Sequence, residues 1–325
     1  MRPVFGGSEH RPQKETAQPR VAVTIPCYNE AVTIAKVISD FKAALPTADI
    51  YVFDNNSTDN TAQIARDAGA IVRSERRQGK GHVVRRIFSD IEADIYLMVD
   101  GDDTYDASVA PTLIELLKRN HVDMVVGTRA NVTKDAGREG HAFGNKLFNQ
   151  IYGRLFGNQF SDIFSGYRVF TRRFAKSFPA ISSGFEIETE MSVHCSQLGI
   201  PTLERPTHYG ERPEDSHSKL RTFSDGFRIL GMFATLAKET RPAAFFGAIG
   251  MAFLALAGIL AAPLLVTYLE TGLVPRFPTA ILSTGLVIMA SISAVCGLIL
   301  DSLARARTEA KRAVFLSYPA QDWTS

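Results

Sequence analysis

The chain has 325 residues, 45% of them hydrophobic, which is enough for one large α/β domain with additional elements. Its net charge of +2 gives no support to a nucleic-acid role driven by bulk positive charge, so we expect no nucleic-acid partner. The three cysteines, Cys27, Cys195 and Cys296, are widely spaced and fit neither a disulfide framework nor a zinc site, which indicates a reducing compartment.

Strands and helices alternate along the first two thirds of the chain, after a polar segment of residues 1–20 that is predicted to be a flexible tail. Runs rich in β-branched and apolar residues predict strands at residues 21–25, 50–53, 70–72, 95–99, 123–126, 169–170 and 202–209. Apolar residues at helical spacing predict helices at residues 30–45, 61–68, 83–90, 111–119 and 145–156, and another that opens at residue 185. The alternation predicts an α/β domain over residues 21–218, with a mostly parallel sheet and helices on both faces.

The fourth predicted strand ends abruptly in the carboxylates Asp100, Asp102 and Asp103. Open α/β sheets bind ligands at the carboxyl ends of their strands, so this acidic tip is placed where a ligand would be. Asp100 and Asp102, one residue apart, can hold the same hard cation, and carboxylate oxygens suit Mg²⁺ or Mn²⁺, which in turn could hold a substrate diphosphate. An isolated pair of this kind is more often an ordinary acidic turn, so the metal prediction depends on the motifs around it.

Three polar motifs follow the first, second and fourth predicted strands in order. They are Pro26-Cys27-Tyr28-Asn29-Glu30, the segment of residues 54–59, and Asp100-Gly101-Asp102. Together they resemble the family 2 glycosyltransferases of the Rossmann-like GT-A fold, over roughly residues 21–220. Later motifs resemble the polyprenyl-phosphate glycosyltransferases, the dolichol-phosphate mannose and glucose synthase group, whose bacterial members also have two C-terminal spans. These later motifs are Gly79-Lys80-Gly81, Gly127-Thr128-Arg129, residues 162–168, Tyr209 with Arg212, and Ser218-Lys219-Leu220.

The resemblance implies a nucleotide-sugar site made from the early motifs. The residues implied are Pro26, Tyr28, Glu30, Asp54, Asn55, Lys80, Asp100 and Arg129. Asn55 stands where relatives usually have a second Asp, and because an amide can donate as well as accept, the base that is read stays open. Lys80, between two glycines, could bring a cation and bare backbone to the diphosphate, although a surface turn is an equal alternative.

The later motifs imply an acceptor-phosphate site of Arg168, Arg212, Ser218 and Lys219, because a diphosphate and an anionic lipid phosphate need several positive groups. Asp162 resembles a family position near the acceptor, where it would order cationic side chains or the metal, with a helix or turn cap as the alternative. The implied catalytic residues are Asp100, Asp102, Asp162 and Arg168. Three glutamates, Glu186, Glu188 and Glu190, are predicted to help the acceptor site or, at least as readily, to form a solvated helix start.

The last third of the chain has a membrane character. Residues 219–241 mix apolar and basic positions as a helix at a membrane surface does, and residues 243–269 and 277–300 are uncharged for 27 and 24 residues. Each run exceeds the ~20 residues needed to span a bilayer, so residues 242–303 are predicted to form a transmembrane hairpin, with a buried core hairpin as the alternative. Residues 304–325 are predicted to be a cytoplasmic tail.

Lys and Arg residues flank the hairpin, whereas the connection between the spans carries only Glu270 and Arg276. The positive-inside bias therefore predicts both termini and the α/β domain on the cytoplasmic side of the inner membrane.

Taken together, the residues and the resemblance predict a metal-dependent, inverting, membrane-anchored glycosyltransferase. It would transfer a hexose from a nucleotide diphosphate sugar, with UDP-glucose favoured and GDP-mannose as the alternative, to undecaprenyl or another polyprenyl phosphate for cell-envelope glycan synthesis. A homo-oligomer is left open. Three other functions remain: a processive family 2 synthase, a nucleotidyltransferase, and a degenerate sugar-nucleotide-binding protein. The first normally carries a Q-x-x-R-W motif, which the single Trp323 does not provide.

Overall fold

The structure is a computed structural model that describes residues 18–130, 149–210 without 151, 154, 155, 158 and 185, and 231–323 without 232, 233 and 236. The described residues form a seven-stranded sheet in the order β3-β2-β1-β4-β6-β5-β7. Its strands are β1 (Val21–Cys27), β2 (Asp49–Asp54), β3 (Ile71–Ser74), β4 (Ile95–Met98), β5 (Met124–Arg129), β6 (Arg168–Thr171) and β7 (Thr202–Thr207). Only β6 runs antiparallel to its neighbours β4 and β5, so the mostly parallel α/β fold predicted from the sequence is confirmed.

Helices cover both faces of the sheet. They are α1 (Ile34–Ala44), α2 (Thr61–Asp67), α3 (Lys80–Asp90), α4 (Ala110–Arg119), α5 (Arg172–Ser177) and α6 (Ile187–Leu198). The central strand β4 shows why both faces need cover, because Tyr96 and Met98 enter one hydrophobic cluster while Ile95 and Leu97 enter the other. A strand buried on both faces reads as a continuous apolar run, as the sequence has it.

The carboxyl ends of β1, β2 and β4 meet at one edge of the sheet. Cys27 pairs with Asp54 across β1 and β2, and Thr24 pairs with Met98 across β1 and β4. The polar residues that follow each strand are therefore brought side by side. Several boundaries differ from prediction. Among them, β1 continues through Pro26 to Cys27, and α3 begins at Lys80 rather than at residue 83. The apolar period hid the first turn of α3, which contains only polar residues and a glycine.

Two long apolar helices, α7 (Pro242–Thr271) and α8 (Phe277–Ser317), pack against each other as a hairpin. Small residues lie in the contact, for a Cβ built on Gly250 would lie 3.2 Å from the Ala290 carbonyl oxygen, and one on Gly297 would lie 3.2 Å from Phe246 Cβ. Most other apolar side chains of the hairpin are exposed, which does not fit the buried core hairpin considered as the alternative. By length and composition, both helices could cross a membrane.

The predicted C-terminal tail is instead a continuation of α8 that returns to the α/β domain. Phe315 is buried in the hydrophobic cluster between α5 and α6, and the Arg173 guanidinium carbon lies 4.3 Å from the centre of its ring. Beyond the helix, Gln321 Nε2 donates to Asp94 Oδ1 at 3.2 Å. Residues 304–313, which are rich in alanine and arginine, favour a helix, and Phe315 gives that helix a docking point on the α/β domain.

Most of the predicted surface helix at residues 219–241 and of the predicted helix at residues 145–156 lies outside the described residues. In the part that is described, residues 237–240 are helical and lead to α7.

Candidate active site

In the acidic tip after β4, the carboxylate of Asp102 is buried and held by hydrogen bonds, whereas the carboxylate of Asp100 is accessible. Asp102 is 3% exposed, and its Oδ1 accepts hydrogen bonds from the Thr104 hydroxyl at 2.6 Å and the Thr104 N–H at 3.3 Å. The Asp100 side chain is 30% exposed. Asp103 adopts a left-handed φ of 59° and points away to Lys36 Nζ, 2.8 Å distant. The tip thus presents Asp100 and Asp102 as the pair predicted from the sequence.

Two glycines allow the backbone to approach this pair closely. A Cβ on Gly101 would lie 2.7 Å from Cys27 Sγ at the end of β1, and one on Gly166 would lie 2.5 Å from Asp100 Oδ2. The Gly166 N–H also donates to the Tyr105 hydroxyl at 2.9 Å, and Thr33 Oγ1 donates to the Gly101 carbonyl at 2.6 Å. The acidic tip is therefore enclosed by the loops after β1 and before β6.

The loops after β1 and β2 interlock to form one wall of the site. Asn29, at a left-handed φ of 53°, donates its N–H to Ser57 Oγ at 3.0 Å and accepts from the Thr58 N–H at 2.8 Å. The Glu30 N–H donates to Thr61 Oγ1 at 2.8 Å. Four residues predicted to bind the nucleotide lie on this wall or at the strand ends beneath it, namely Pro26, Tyr28, Glu30 and Asp54.

Asn55 binds the backbone of the loop of residues 75–79, a role that the sequence did not predict. Its Nδ2 donates to the carbonyls of Glu75 at 2.9 Å and Arg77 at 2.7 Å, and its Oδ1 accepts from the Gly79 N–H at 2.7 Å. The side chain is 4% exposed and these three bonds use its two donors and one acceptor position. Asn55 therefore ties down the loop that carries Lys80, and it is not oriented toward a ligand.

Lys80 lies at the start of α3 with its ammonium against two carboxylates, Asp100 of the acidic tip and Glu188 of α6. We call these three side chains the ion cluster. Burial by itself would lower the pKa of Lys80, but the charges of Asp100 and Glu188 outweigh burial and raise the pKa above its ordinary value. Burial raises the pKa of Glu188, the nearby charge of Asp100 adds to the rise, and Lys80 opposes it.

The glycines on either side of Lys80 serve the packing of the backbone. A Cβ on Gly79 would lie 2.1 Å from the Ser183 carbonyl oxygen, and one on Gly81 would lie 2.0 Å from the Ser182 carbonyl oxygen. The Gly81 N–H donates to the Ser183 carbonyl at 3.1 Å. The bare backbone at Lys80 thus faces the segment before α6, which corrects the expectation that it would face a diphosphate.

Burial excludes one of the two roles predicted for Glu188. It is 4% exposed, so the expected solvated helix start does not apply to it. Its neighbour Glu190 accepts from the N–H groups of Ile181 at 3.0 Å and Ser182 at 2.7 Å, which holds the segment that the glycines contact. In the sequence, three glutamates stand at alternate positions, and this pattern does not indicate which side chain points into the protein.

Arg129 and Asp162 form a closed pair beside the acidic tip. Arg129 Nε and Nη2 donate to the two carboxylate oxygens of Asp162 at 2.9 and 2.7 Å. The guanidinium also lies 5.6 Å from the ring centre of Tyr209, which in turn packs on Tyr105. Burial would raise the pKa of Asp162, but the hydrogen bonds and charge of Arg129 hold it below its ordinary value. Asp162 thus orders a cationic side chain, and the pair uses two of the five Arg129 N–H donors.

Arg168 is enclosed by protein atoms, which does not fit its predicted place in the acceptor site. It is fully buried in β6, where Nε donates to the Ser165 carbonyl at 2.9 Å and Nη2 donates to the Ile163 carbonyl at 3.0 Å and to Ser192 Oγ at 3.1 Å. Burial lowers its pKa. Its hydrogen bonds fix the loop that brings Gly166 to Asp100, so its role is to position that loop.

The remaining predicted acceptor residues, Arg212, Ser218 and Lys219, lie outside the described residues. The last described residue before them is Gly210, whose N–H donates to the Thr104 carbonyl at 2.8 Å.

The donor chemistry at the tip fits a divalent cation. Among the described residues, no group of three or more acidic, imidazole or thiol side chains is arranged to hold a metal ion. Two carboxylates, one of them oriented by Thr104, match the way in which Mg²⁺ is held by one or two carboxylates together with substrate phosphates. Asp100 and Asp102 are therefore the residues that would hold the metal.

Comparison with known proteins agrees with this geometry. The Glycosyl transferase family 2 model matches residues 22–178. Protein RfbJ of Shigella flexneri is 66% identical over 122 residues, which are 37% of this chain and 95% of that protein. Glycosyltransferase AglJ of Haloferax volcanii is 40% identical over 234 residues, 71% of this chain and 77% of that protein. The dolichol-phosphate mannosyltransferase of Pyrococcus furiosus is 30% identical over 117 residues, 34% of this chain and 33% of that enzyme.

Among solved structures, glucosyl-3-phosphoglycerate synthase from Mycobacterium tuberculosis, in complex with Mn²⁺, uridine diphosphate and phosphoglyceric acid, has a TM-score of 0.56 and 21% identity. The match covers 68% of this chain and 78% of that one, and it supports the fold alone. The family match, the AglJ relationship and the strand-end motifs lead to one conclusion: this chain belongs to glycosyl transferase family 2.

Proposed function

We propose that this protein is a membrane-anchored, metal-dependent, inverting glycosyltransferase that moves a hexose from a nucleotide diphosphate sugar to a polyprenyl phosphate. The observation that carries the proposal is the edge of the sheet where the Asp100–Asp102 pair lies beside the interlocked loops after β1 and β2. The processive synthase, the nucleotidyltransferase and the degenerate binding protein are outcomes that the experiments below distinguish.

The donor is assigned to the wall of Tyr28, Glu30 and Asp54, with its diphosphate toward Asp100 and Asp102. A bound Mg²⁺ or Mn²⁺ would supply the positive charge that offsets the charge appearing on the leaving diphosphate. Arg129 is assigned to the same donor, because Asp162 engages two of its five side-chain N–H donors and its guanidinium lies on Tyr209, which packs on Tyr105 after the acidic tip. A uridine nucleotide is the donor favoured from the sequence, and the M. tuberculosis synthase that was crystallised with uridine diphosphate and Mn²⁺ shares the fold.

The acceptor is assigned to the segment after Gly210, which contains Arg212, Ser218 and Lys219. Gly210 is hydrogen-bonded to Thr104, two residues past Asp102, so this segment leaves the described domain at the acidic tip. A phosphate monoester with a second pKa of about 6 is largely ionised near neutral pH, so the nucleophile needs positioning more than it needs a general base. A lipid phosphate fits because the apolar hairpin α7–α8 begins at Pro242, later in the chain, and because one relative is a dolichol-phosphate mannosyltransferase.

Orientation in the inner membrane follows from charge. Lys238 and Arg241 precede α7, and Arg305 and Arg307 lie past the apolar part of α8, and this charge distribution supports a cytoplasmic catalytic domain. In intact cells, Thr271→Cys should react with an impermeant thiol reagent added from outside and Arg307→Cys should not. Labelling of Arg307→Cys alone would overturn this orientation.

The decisive experiment incubates the purified full chain in detergent with Mn²⁺ or Mg²⁺, undecaprenyl phosphate and a panel of nucleotide sugars that includes UDP-glucose and GDP-mannose. One donor is expected to give a polyprenyl-phosphate sugar of inverted anomeric configuration. Binding of a nucleotide sugar with no transfer to any acceptor would favour the degenerate binding protein. Formation of a polymer would favour the processive synthase. In a parallel incubation with a nucleoside triphosphate and a sugar phosphate, release of pyrophosphate would favour the nucleotidyltransferase.

The assignment of the acceptor end is tested by Lys219→Ala. Losing one charge-assisted contact costs roughly 1.5 to 3 kcal/mol, about ten- to a hundredfold in transfer efficiency. We expect weaker saturation by polyprenyl phosphate and little change in nucleotide binding measured by calorimetry. The reverse pattern would reassign Lys219 to the donor diphosphate.

A further inference from the structure

The ion cluster of Lys80, Asp100 and Glu188 places a built-in cation on one of the two carboxylates that would hold the metal. The three side chains are 8%, 30% and 5% exposed, so the ammonium is shielded and only Asp100 opens toward solvent. We propose, on the basis of the proposed function, that Lys80 competes with the divalent cation for Asp100, and that Glu188 is the positioning residue that receives Lys80 when the cation takes its place.

The position of the ammonium is imposed by the backbone on both sides of it. Gly79 is tied to Asn55 at 2.7 Å, and Gly81 is tied to the Ser183 carbonyl at 3.1 Å. Neither glycine has space for a Cβ, so this loop and the Ser182–Ser183 segment fix each other. Since the next helix α6 supplies Glu188, the elements that hold Lys80 against Glu188 do not depend on Asp100.

If Asp100 were the partner of Lys80 without Glu188, a divalent cation that bound Asp100 would leave the ammonium without a countercharge. With Lys80 and both carboxylates ionised, the ion cluster carries a net charge of −1, and the ammonium contacts Asp100 Oδ1 directly. A divalent cation on the same carboxylate would meet a like charge at hydrogen-bonding distance, which is strongly unfavourable in a site of low dielectric constant. Glu188 removes the penalty of an unpaired buried ammonium, so that Lys80 can leave Asp100 without becoming an isolated charge.

The proposal predicts that substitutions of Lys80 and Glu188, which contact each other, change the affinity for Mn²⁺ in opposite directions. Lys80→Met removes the competitor and should tighten binding of Mn²⁺ in the absence of nucleotide. Among the described residues, Glu188→Gln leaves Lys80 with Asp100 as its only charged partner, and it should weaken that binding. Each change involves one charge-assisted contact in a shielded site, so we expect about a tenfold shift in dissociation constant, in opposite directions. Misfolding would instead weaken Mn²⁺ binding in both variants.

The experiment measures free Mn²⁺ by electron paramagnetic resonance during titration of the full chain in detergent, with thermal unfolding as the check of folding. Lys36→Met is the matched lysine control, because Lys36 pairs with Asp103 of the same tip at 2.8 Å but is 62% exposed. Glu186→Gln is the matched glutamate control. Glu186 immediately precedes α6 and accepts a hydrogen bond from the Gly184 N–H at 3.1 Å. We expect both controls to shift the Mn²⁺ affinity by about threefold or less.

Opposite shifts in Lys80→Met and Glu188→Gln, with unchanged controls, would support the proposal. Unchanged affinity in Glu188→Gln, or an equal loss in both variants, would overturn it, and if Lys80→Met does not fold, Glu188→Gln decides alone. Asp102→Asn separates this outcome from the proposed function. If Asp102→Asn binds Mn²⁺ as well as the wild type does, the metal assignment itself fails, whereas a loss there with no effect of Lys80 or Glu188 would refute only the role of the ion cluster.

Discussion

Replacing Asn55 with Asp tests whether this side chain holds a loop or reads a base. The two residues have nearly the same shape, but the carboxylate cannot donate the two hydrogen bonds that Asn55 gives to the carbonyls of Glu75 and Arg77. Its second oxygen would lie where Nδ2 is now, 2.9 and 2.7 Å from those two carbonyl oxygens. Because these are repulsive contacts, Asn55→Asp should open the loop that carries Lys80.

The size of the effect follows from the two lost donors. Leaving a buried acceptor without its partner costs about 1–3 kcal/mol, so the upper bound for the closed loop is about 6 kcal/mol. The loop can relax toward water, which makes about 2–3 kcal/mol the expected cost, or about a 30- to 150-fold increase in the open population. Lys80 follows Gly79 directly, so the donor should also saturate the variant less readily.

Hydrogen exchange measures this opening without an activity assay. The amide of Gly79 donates to Asn55 Oδ1 at 2.7 Å, and a peptide covering residues 75–81 should lose about 30- to 150-fold of its protection in Asn55→Asp at neutral pH. Two facing carbonyls raise the pKa of the introduced carboxyl group, and its protonated form can donate one hydrogen bond, so part of the protection should return in mild acid relative to wild type at the same pH.

Asn55→Ala is the matched comparison, because it removes the same hydrogen bonds without adding a charge and should show no such recovery. Wild-type protection in Asn55→Asp at every pH would refute the reasoning. Asn55 would then have to be returned to the nucleotide site.

Three further predictions concern other parts of the molecule. Asp102→Asn should reduce transfer at least about a hundredfold with an unchanged melting temperature, because an amide oxygen can still accept from Thr104 while the metal loses a charged ligand. Burial, helped by Lys311, lowers the pKa of His194 from 6.5 to about 3, so the unfolded chain takes up a proton that the folded chain refuses in this window. The contribution of neutral His194 to the free energy of unfolding is therefore complete above pH 6.5 and is smaller by about 2 kcal/mol at about pH 5. In His194→Phe, whose new ring would lie between Phe174 and Phe178, thermal unfolding at these two pH values should no longer show this loss. Phe315→Ala should cost about 3 kcal/mol of helix docking, seen as faster proteolysis of the end of α8; unchanged cleavage would show that the docking depends on other contacts.

The strand-end motifs could be predicted from the sequence because two simple rules act together there. An apolar strand that ends in polar residues marks a sheet edge, and parallel strands place their carboxyl ends at the same edge. These rules assign Asp54 and Asp100 to the same edge, and the register of β1 with β2 and β4 agrees.

The sequence could not tell whether a polar side chain at this edge faces a ligand or the protein. Asn55 and Arg168 both satisfy backbone carbonyls, and nothing in their neighbours in sequence distinguishes this from ligand binding. Glu188 differs from Glu186 and Glu190 only in the direction it points, since residues two apart on a helix lie on different sides. Such assignments depend on the packing of distant elements, here α3 against α6.

The continuity of α8 gives the enzyme a spacer of fixed length and phase. From Leu300, the last residue of the uncharged run, to Phe315 the helix rises about 22 Å, and it turns about 100° with each residue. An insertion of two residues in this stretch would rotate Phe315 by about 200°, away from α5 and α6, whereas seven residues would nearly restore its direction and move the catalytic domain about 10 Å farther out. The length of this stretch can therefore change only in steps that match the helical repeat. In the membrane-anchored arrangement proposed above, each step would change the height of the acidic tip above the surface of the bilayer.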